Sequence, residues 1–375
     1  MAETENITAI RDSAAAFVSA EVWPNIDELD QPEPIPKSIY KKLAEFGFLG
    51  CTVPEEYGGS GLSMREYLVV LEELSKGHSA MMLAVTMTSG PISNAILLGG
   101  SESQKDILKR MCAGDIKIAF GLSEPEAGSD AQSMRCTAER VDGGWKLNGI
   151  KQWITWGAEA EYVLVMAVTD REKRAKGGIT AFLVPADTPG FKVASVDVSI
   201  GNDLLAELHF NDCVVSDDTI IGGVGNGFKV AMSSLDEGRL GVAAGCIGAA
   251  QHALNLSVEY AKNRQTFGKP LASRQAIQWM IADSAVELAS CRALYEQCIQ
   301  KVESEGRATT LSSMVKLTAS EMVGRVADRA MQIHGASGMV RSTGIERIYR
   351  ETRHYRVGEG TSEVQRMIIA RELLS

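Results

Sequence analysis

The sequence lacks paired cysteines and metal-ligand spacings, and both absences exclude classes of protein. Its seven cysteines are scattered, with no CxxC pair, and most have apolar neighbours. This usage is typical of small buried thiols in a reducing compartment and argues against a disulfide framework. The five histidines show no HExxH or comparable spacing, so a metal site is not expected.

The chain also lacks an excess of positive charge. Its formal net charge is −10 and no basic patch is visible, so a nucleic-acid partner is not expected. A local basic site for a phosphorylated small molecule is still compatible with this charge.

Targeting and membrane-spanning patterns are missing from the sequence as well. The stretch from Met1 to Asn6 is acidic and has neither the regions of a secretory signal nor the arginines of a transit peptide. No apolar run approaches the roughly 18 residues that would span a bilayer. We therefore expect no membrane partner and a cytoplasmic location, with a mature organellar protein as the alternative.

What the sequence does have is a change of periodicity along 375 residues, a length that allows two or three sub-domains. Residues 1–118 favour helices, because segments such as 38–46 carry apolar residues at three- and four-residue spacing. Residues 119–226 contain short β-rich runs bounded by turns, such as 162–168. These runs indicate an antiparallel sheet or small barrel.

Residues 227–375 return to a helical pattern. The segment 240–256 is rich in Ala and Gly, which permits close packing of a buried helix. Long helices joined by short connections indicate a bundle, so the chain is predicted to be mainly α with a central β domain. Two apolar stripes mark the bundle, one of Ile277, Met280, Ile281 and Leu288 and one of Met314, Leu317, Met322 and Val326.

One carboxylate stands out near the end of the chain, in the segment Gly358-Glu359-Gly360. The flanking glycines allow backbone to approach whatever Glu359 contacts. A bare carboxylate pressed against a thioester substrate is well suited to removing a proton from carbon.

Two neighbouring segments each have two interpretations. Phe120–Asp130 combines small hydroxyl residues with Gly, so it suits either a loop that approaches a flat polar ring and a phosphate or a surface turn. Farther along, Trp153 and Trp156 bracket Thr155. An indole there either covers an aromatic cofactor or packs in the core.

The C-terminal region contains further ambiguous segments. Arg264 and Phe267 suit clamping and stacking against a pyrophosphate-containing ligand, or Arg264 is a solvent-exposed residue at a helix end. His334 taken alone favours hydrogen-bonded packing over catalysis. Gly223–Gly227 lacks the spacing of a nucleotide-binding loop and favours a turn into the next helix.

In this order and spacing, these segments resemble the acyl-CoA dehydrogenase family, from Tyr57-Gly58-Gly59 to Arg371. The resemblance implies an N-terminal helical domain, a middle β domain and a C-terminal four-helix bundle. It implies non-covalently bound FAD, oxidation of an acyl-CoA thioester to the trans-2-enoyl-CoA, and an electron-transfer flavoprotein as acceptor. It also implies a homotetramer in which a neighbouring subunit contributes to each flavin site.

The resemblance assigns site residues by motif. Predicted FAD contacts are Phe120, Leu122, Ser123, Ser129, Trp153, Thr155, Thr361 and Glu363, with Arg264, Phe267, Gln332, Gly335 and Ala336 directed to the FAD of an adjacent subunit. Predicted substrate contacts are Ser129, Asp236, Arg239 and Gly360.

Glu359 falls on the catalytic base of the family. Burial by the acyl chain would raise the pKa of its carboxyl, and hydrogen bonds to the thioester carbonyl would stabilise the enolate-like charge. The resemblance implies that α-proton removal is coupled to hydride transfer from the β-carbon to flavin N5. Some members place the base at a position that Gly238 occupies here, and a one-residue shift of the alignment would point to Glu237.

Two departures from the family pattern concern the flavin pocket. Trp156 stands where a small amide is usual, and Ala336 stands where a glycine is usual. Neither removes a catalytic group, but both leave the shape of the pocket open.

Other functions within and outside this chemistry are compatible with the motifs. The alternatives are an acyl-CoA oxidase, an enoyl-CoA reductase, a desulfinase, or a non-catalytic subunit of the same fold. Oxidative decarboxylation of a dicarboxylic acyl group is disfavoured, because no arginine occurs between Arg65 and Arg110 to bind the distal carboxylate.

Overall fold

The computed structural model describes the backbone of residues 2–232 and 235–375 and the side chains of residues 5–232 and 237–375. The elements follow the predicted order of helices, strands and helices. The α-helices are α1 (Ala2–Phe17), α2 (Ile26–Leu29), α3 (Lys37–Glu45), α4 (Met64–Gly77), α5 (Ser79–Ser89), α6 (Pro91–Gly99), α7 (Glu102–Cys112), α8 (Gly227–Met232), α9 (Leu235–Asn263), α10 (Gln275–Glu305), α11 (Thr309–His334), α12 (Ile345–Thr352) and α13 (Ser362–Leu374). The strands are β1 (Ile118–Gly121), β2 (Thr137–Val141), β3 (Gly144–Thr155), β4 (Tyr162–Val168), β5 (Ile179–Pro185), β6 (Phe191–Val198), β7 (Leu204–Val215), β8 (Ile220–Ile221), β9 (Gln265–Thr266) and β10 (Lys269–Pro270).

Contacts divide the chain into two compact units. The sheet unit comprises Asp27–Tyr67 and Leu83–Leu235, and the helical unit comprises Met1–Ile26, Leu68–Met82 and Asp236–Ser375. The predicted fold class, mainly α with a central β region, is confirmed. The predicted boundaries after residues 118 and 226 stay predictions.

The sheet unit is built on a mixed sheet. Its strand order is β6-β7-β3-β2-β4-β5-β8, and β1 pairs with β4 beside this path. Most pairs are antiparallel, as predicted, but β1 and β2 each pair with β4 in parallel. Parallel pairing needs a long connection, which the β2–β3 hairpin supplies between β1 and β4. Buried side chains of the inner strands, such as Leu147, Val163, Phe182 and Leu208, form the core.

Helix α11 is the centre of the helical unit and packs against α10, α12 and α13. Its buried face includes Val315, Lys316, Ala319 and Val323, none of which is more than 1% exposed. The apolar stripe predicted for this helix is only partly correct. Met322 and Val326 are buried, whereas Met314 and Leu317 are only partly buried. Lys316 interrupts the apolar pattern on the true buried face.

Close packing of α9, predicted from its small residues, is confirmed. A Cβ built at Gly248 would lie 2.1 Å from the backbone oxygen of Glu72, in α4. A Cβ at Gly245 would lie 2.6 Å from the Sδ of Met82. The two glycines therefore allow α9 to approach its neighbours more closely than any side chain would permit.

One apolar helical stretch went unnoticed in the sequence. Residues Ser79–Gly99 are long and apolar enough to cross a membrane by length and composition, but 72% of their most apolar window is buried. Burial of this kind also characterises a core helix. Interspersed Ser and Thr residues interrupt the apolar run, which is why the sequence pattern did not reveal it.

Replacing Gly248 by Ala tests the packing of α9. We expect Gly248→Ala to lower the free energy of unfolding by about 1–3 kcal/mol, because the backbone of Glu72 cannot move aside as a side-chain tip would. Gly128→Ala is the matched control, since a Cβ there meets nothing within 4 Å. Urea unfolding of both variants measures the difference, and a Gly248→Ala variant as stable as the wild type would contradict the packing.

Candidate active site

The carboxylate of Glu359 lies directly over the backbone of α9 in the helical unit. A Cβ built at Gly238 would be 2.9 Å from the Oε2 of Glu359. Gly238 thus leaves the space that the carboxylate occupies. The alternative candidate Glu237 lies on the exposed side of the same helix turn.

Burial and two cations set the proton affinity of Glu359. Removal from water raises the pKa of the carboxyl, while Lys316 and Arg239 act in the opposite direction. Lys316 is 0% exposed and Arg239 is 4% exposed, so water screens neither charge effectively. A carboxylate in this setting is more basic than an ordinary glutamate and still able to ionise.

The backbone around Glu359 is held in a conformation that side chains rarely adopt. Glu359 has φ +53° and Gly360 has φ +84°. A left-handed conformation at a residue with a Cβ costs about 1–3 kcal/mol and persists only when neighbours enforce it. Here Gln365 Nε2 donates to the carbonyls of Glu359 (3.2 Å) and Gly360 (2.9 Å), and Lys316 Nζ donates to the carbonyl of Gly360 (2.7 Å).

The helical unit brings two of the four predicted substrate residues to the same place. Arg239 and Gly360 both adjoin Glu359, whereas the side chain of Asp236 lies outside the described residues. Thr361, predicted to contact the cofactor, caps α13 by accepting from the backbone N–H of Val364 (3.3 Å).

In the sheet unit, the segment Phe120–Ser123 ends β1 and is fixed by its backbone oxygens. The carbonyl of Leu122 accepts from Lys151 Nζ at 3.1 Å, and the carbonyl of Ser123 accepts from the N–H of Gln152 at 2.9 Å. Ser129 lies exposed on the following loop. The predicted cofactor loop is therefore tied to β3.

Lys151 and Glu124, which the sequence analysis missed, hold this loop. Their Nζ and Oε1 atoms are 2.7 Å apart, and the two side chains are 0% and 2% exposed. Glu124 also accepts from the backbone N–H groups of Arg135 and Cys136. Removing either partner would leave an uncompensated buried charge.

The two tryptophans of the β3 end have different environments. A bulge between Lys151 and Ile154 turns Trp153 outward, with φ +62° and 53% exposure. Trp156 is 6% exposed and packs edge-on against Tyr40, with ring centroids 5.9 Å apart. The core interpretation fits Trp156, whereas Trp153 and the partly exposed Thr155 are accessible to a ligand.

A short hairpin presents Phe267. The turn between β9 and β10 consists of Phe267 (φ +50°) and Gly268 (φ +74°), the combination of a type I′ turn. Phe267 is 97% exposed, and the guanidinium of Arg274 lies 5.4 Å from its ring centre. Arg264, just before the hairpin, is also exposed, so this edge is open to a ligand or a second chain.

The end of α11 carries the remaining predicted cofactor residues. Gln332, Gly335 and Ala336 are exposed, and only Gly335 of the three has a positive φ. Ala336 therefore fits without backbone strain. His334 is buried, hydrogen-bonds through Nδ1 to the carbonyl of Ala330 (2.8 Å) and stacks on Tyr260, as its packing interpretation predicted.

The predicted cofactor positions fit a flavin. Trp153 exposes an aromatic ring beside Thr155, on a strand end bonded to the loop that carries Leu122 and Ser123. Among the residues whose side chains are described, no group of three or more His, Cys, Asp or Glu could hold a metal ion. Within the sheet unit, the accessible indole of Trp153 and the hydroxyl of Thr155 suit the face and the polar edge of a flavin ring.

Comparison with known sequences identifies the family. The N-terminal, middle and C-terminal domains of acyl-CoA dehydrogenase match residues 4–115, 119–213 and 225–374. The chain therefore belongs to the acyl-CoA dehydrogenase family, whose members are FAD-dependent flavoproteins. It is accordingly an oxidoreductase with FAD as its cofactor.

Several relatives match the chain over nearly its full length. It is 39% identical to the short-chain specific acyl-CoA dehydrogenase of Rattus norvegicus mitochondria, over 97% of this chain and 89% of that protein. It is 38% identical to the acryloyl-CoA reductase (NADH) of Anaerotignum propionicum, over 97% of this chain and 93% of that protein. The solved structure of butyryl-CoA dehydrogenase from Megasphaera elsdenii superposes with a TM-score of 0.92 at 34% identity, covering 99% and 98% of the chains.

Replacing Gly238 by Ala tests the placement of the Glu359 carboxylate. The new Cβ displaces a flexible side-chain tip, so we expect the thermal midpoint to stay near that of the wild type. Turnover of the best acyl-CoA should nevertheless fall about 10- to 100-fold, since a misplacement of about 1 Å has that effect. Thermal melts and steady-state rates measure the two quantities, and an unchanged rate would show that the carboxylate does not act at this position.

Proposed function

We propose that this protein dehydrogenates an acyl-CoA thioester to the trans-2-enoyl-CoA, with Glu359 as the base. The observation that carries the proposal is the Glu359 carboxylate, which lies against the backbone of Gly238 on α9. Burial raises the pKa of this carboxyl, and the charges of Lys316 and Arg239 oppose that rise. General bases work best when their pKa lies near the operating pH, and burial moves a glutamate in that direction.

The reaction divides between the chain and its cofactor. Glu359 removes the α-proton as the C–H electron pair forms the new double bond, and a hydride leaves the β-carbon. FAD supplies the acceptor for that hydride. The backbone N–H of Glu359 is proposed to donate to the thioester carbonyl, where negative charge develops. The hydrogen bonds that Lys316 and Gln365 donate to the carbonyl of Gly360 hold the neighbouring backbone of this segment.

A short acyl group is the proposed substrate. The support is the names of the relatives, a short-chain specific acyl-CoA dehydrogenase and a butyryl-CoA dehydrogenase, at 39% and 34% identity. An anaerobic panel of acyl-CoA esters of increasing length, read by flavin bleaching, tests this assignment. Fastest bleaching by a long-chain ester would reject it.

Enoyl-CoA reduction is the second candidate function. It is favoured by the 38% identity to an acryloyl-CoA reductase. The same site would serve, because protonated Glu359 would return the proton to the α-carbon as a hydride reached the β-carbon. Oxidation of NADH that depends on acryloyl-CoA, without bleaching by saturated esters, would favour the reductase.

The proposed assembly is a homotetramer in the cytoplasm that passes electrons to an electron-transfer flavoprotein. Family membership supports the acceptor, and exposed apolar side chains of the helical unit support the assembly. They include Phe267 (97% exposed), Trp279 (60%), Val286 (65%) and Met367 (69%). Isolated apolar side chains are common on surfaces, and these residues, on the β9–β10 hairpin, α10 and α13, are the proposed contacts of the assembly.

Sedimentation measures this assembly directly. We expect a mass four times that of the 40.4 kDa chain. Trp279→Glu should shift the equilibrium toward smaller species, because a charge would enter an apolar contact. A wild-type protein that sediments as a single chain would contradict the proposal.

Replacing Glu359 by Gln tests the proposed base. We expect flavin bleaching by the best acyl-CoA to slow by about 10²- to 10⁴-fold, because Gln cannot accept the proton. Glu237→Gln is the matched control, since Glu237 is a second glutamate near the site and lies exposed. A Glu359→Gln variant with the wild-type rate, or an equal loss in Glu237→Gln, would reject Glu359 as the base.

A further inference from the structure

Lys316 is a buried cation beside the Glu359 segment, and it neither gives nor takes a proton in the proposed reaction. We propose that Lys316 is a positioning residue: it tethers the segment through the carbonyl of Gly360 and sets a positive charge near the Glu359 carboxylate. This inference rests on the proposed function, because it concerns the same carboxylate.

The tether is a direct hydrogen bond between two segments of the helical unit. Lys316, on α11, donates from Nζ to the backbone oxygen of Gly360 at 2.7 Å. Gln365 donates to the same oxygen at 2.9 Å. Glu359 and Gly360 both have left-handed backbone, so these donors fix a peptide that the chain would not adopt alone.

The burial of Lys316 would be unfavourable without a compensating partner. Its side chain is 0% exposed, and lysine is almost never fully buried unless it is paired. Burial and, to a smaller extent, the charge of Arg239 lower its pKa from the usual value to about 8, while Cys246, Glu359 and Glu321 act in the opposite direction. The ammonium form therefore predominates at pH 7, beside a carboxylate that it helps to ionise.

The effect of Lys316 on the pKa of Glu359 can be measured separately from that of the other nearby cation. The cations that lower the pKa of Glu359 are Lys316 from α11 and Arg239 from α9. Because Arg239 remains in any Lys316 variant, loss of Lys316 should shift the proton affinity of Glu359 without abolishing its ionisation. A merely structural lysine would change stability and leave this proton affinity unaltered.

The pH dependence of kcat/KM for flavin bleaching is the primary test, with Lys316→Gln and Lys316→Met. Removing the positive charge raises the pKa of Glu359, so the rising limb should move to higher pH by about one unit, a tenfold change in proton affinity. Gln retains a donor for Gly360 and should keep the plateau rate, whereas Met has none and should lower it.

Two controls bracket the charge effect. Lys301→Met removes an exposed positive charge on α10 that pairs with Glu305. It should leave the rising limb of the pH profile at its wild-type position. Lys316→Arg retains the positive charge, so its rising limb should lie closer to the wild-type pH than that of Lys316→Gln or Lys316→Met. If Lys316→Met does not fold, the Gln and Arg variants carry the same comparison.

Infrared titration supplies a readout that does not depend on turnover. The difference between the wild type and Glu359→Gln isolates the carboxyl band of Glu359, and its midpoint should rise in Lys316→Gln. The inference is overturned if the midpoint and the rising limb are unchanged in Lys316→Gln and Lys316→Met while Glu359→Gln still slows bleaching. If no acyl-CoA or enoyl-CoA reacted with the wild type, the proposed function would fail, and the infrared midpoint would still decide the role of Lys316.

Discussion

The desolvated carboxylate of Glu359 is the constraint on which the rest of the candidate site depends. Taking a carboxylate out of water favours its protonated form, and a protonated acid cannot remove a proton. Lys316 and Arg239 offset that cost within the helical unit. Burial raises the pKa of this carboxyl, which makes the group more basic, and the two cations oppose that rise and favour its charged form.

Backbone geometry serves the same end. Gly238 leaves room for the carboxylate on α9, and the left-handed pair Glu359–Gly360 aims it there. Such a conformation is unfavourable in isolation, so the hydrogen bonds of Gln365 and Lys316 are required to maintain it. In the sheet unit, the pair Lys151–Glu124 fixes a loop in a comparable way. At both places a buried lysine holds a backbone carbonyl next to predicted site residues.

Much of the fold was predictable because apolar periodicity reports directly on burial. It located the order of helices and strands and the close packing of α9, and the glycine-flanked Glu359 was evident as a motif. Lys316 and Lys151 were missed because a lysine in an apolar pattern is ordinarily assigned to the solvent side. The sequence did contain one signal for Lys316, because its neighbours Val315 and Ala319 are apolar. Both neighbours are buried on α11. The difference between Trp153 and Trp156 depends on a bulge that no periodicity reveals.

The most direct test of the account is a crystal structure of the FAD-loaded protein with a non-reactive acyl-CoA analogue. A carboxylate oxygen of Glu359 should lie about 3–3.5 Å from the α-carbon, as a near-attack geometry requires. Lys316 should still donate to the carbonyl of Gly360 in that complex. A different carboxylate at the α-carbon, such as that of Glu237, would contradict the account.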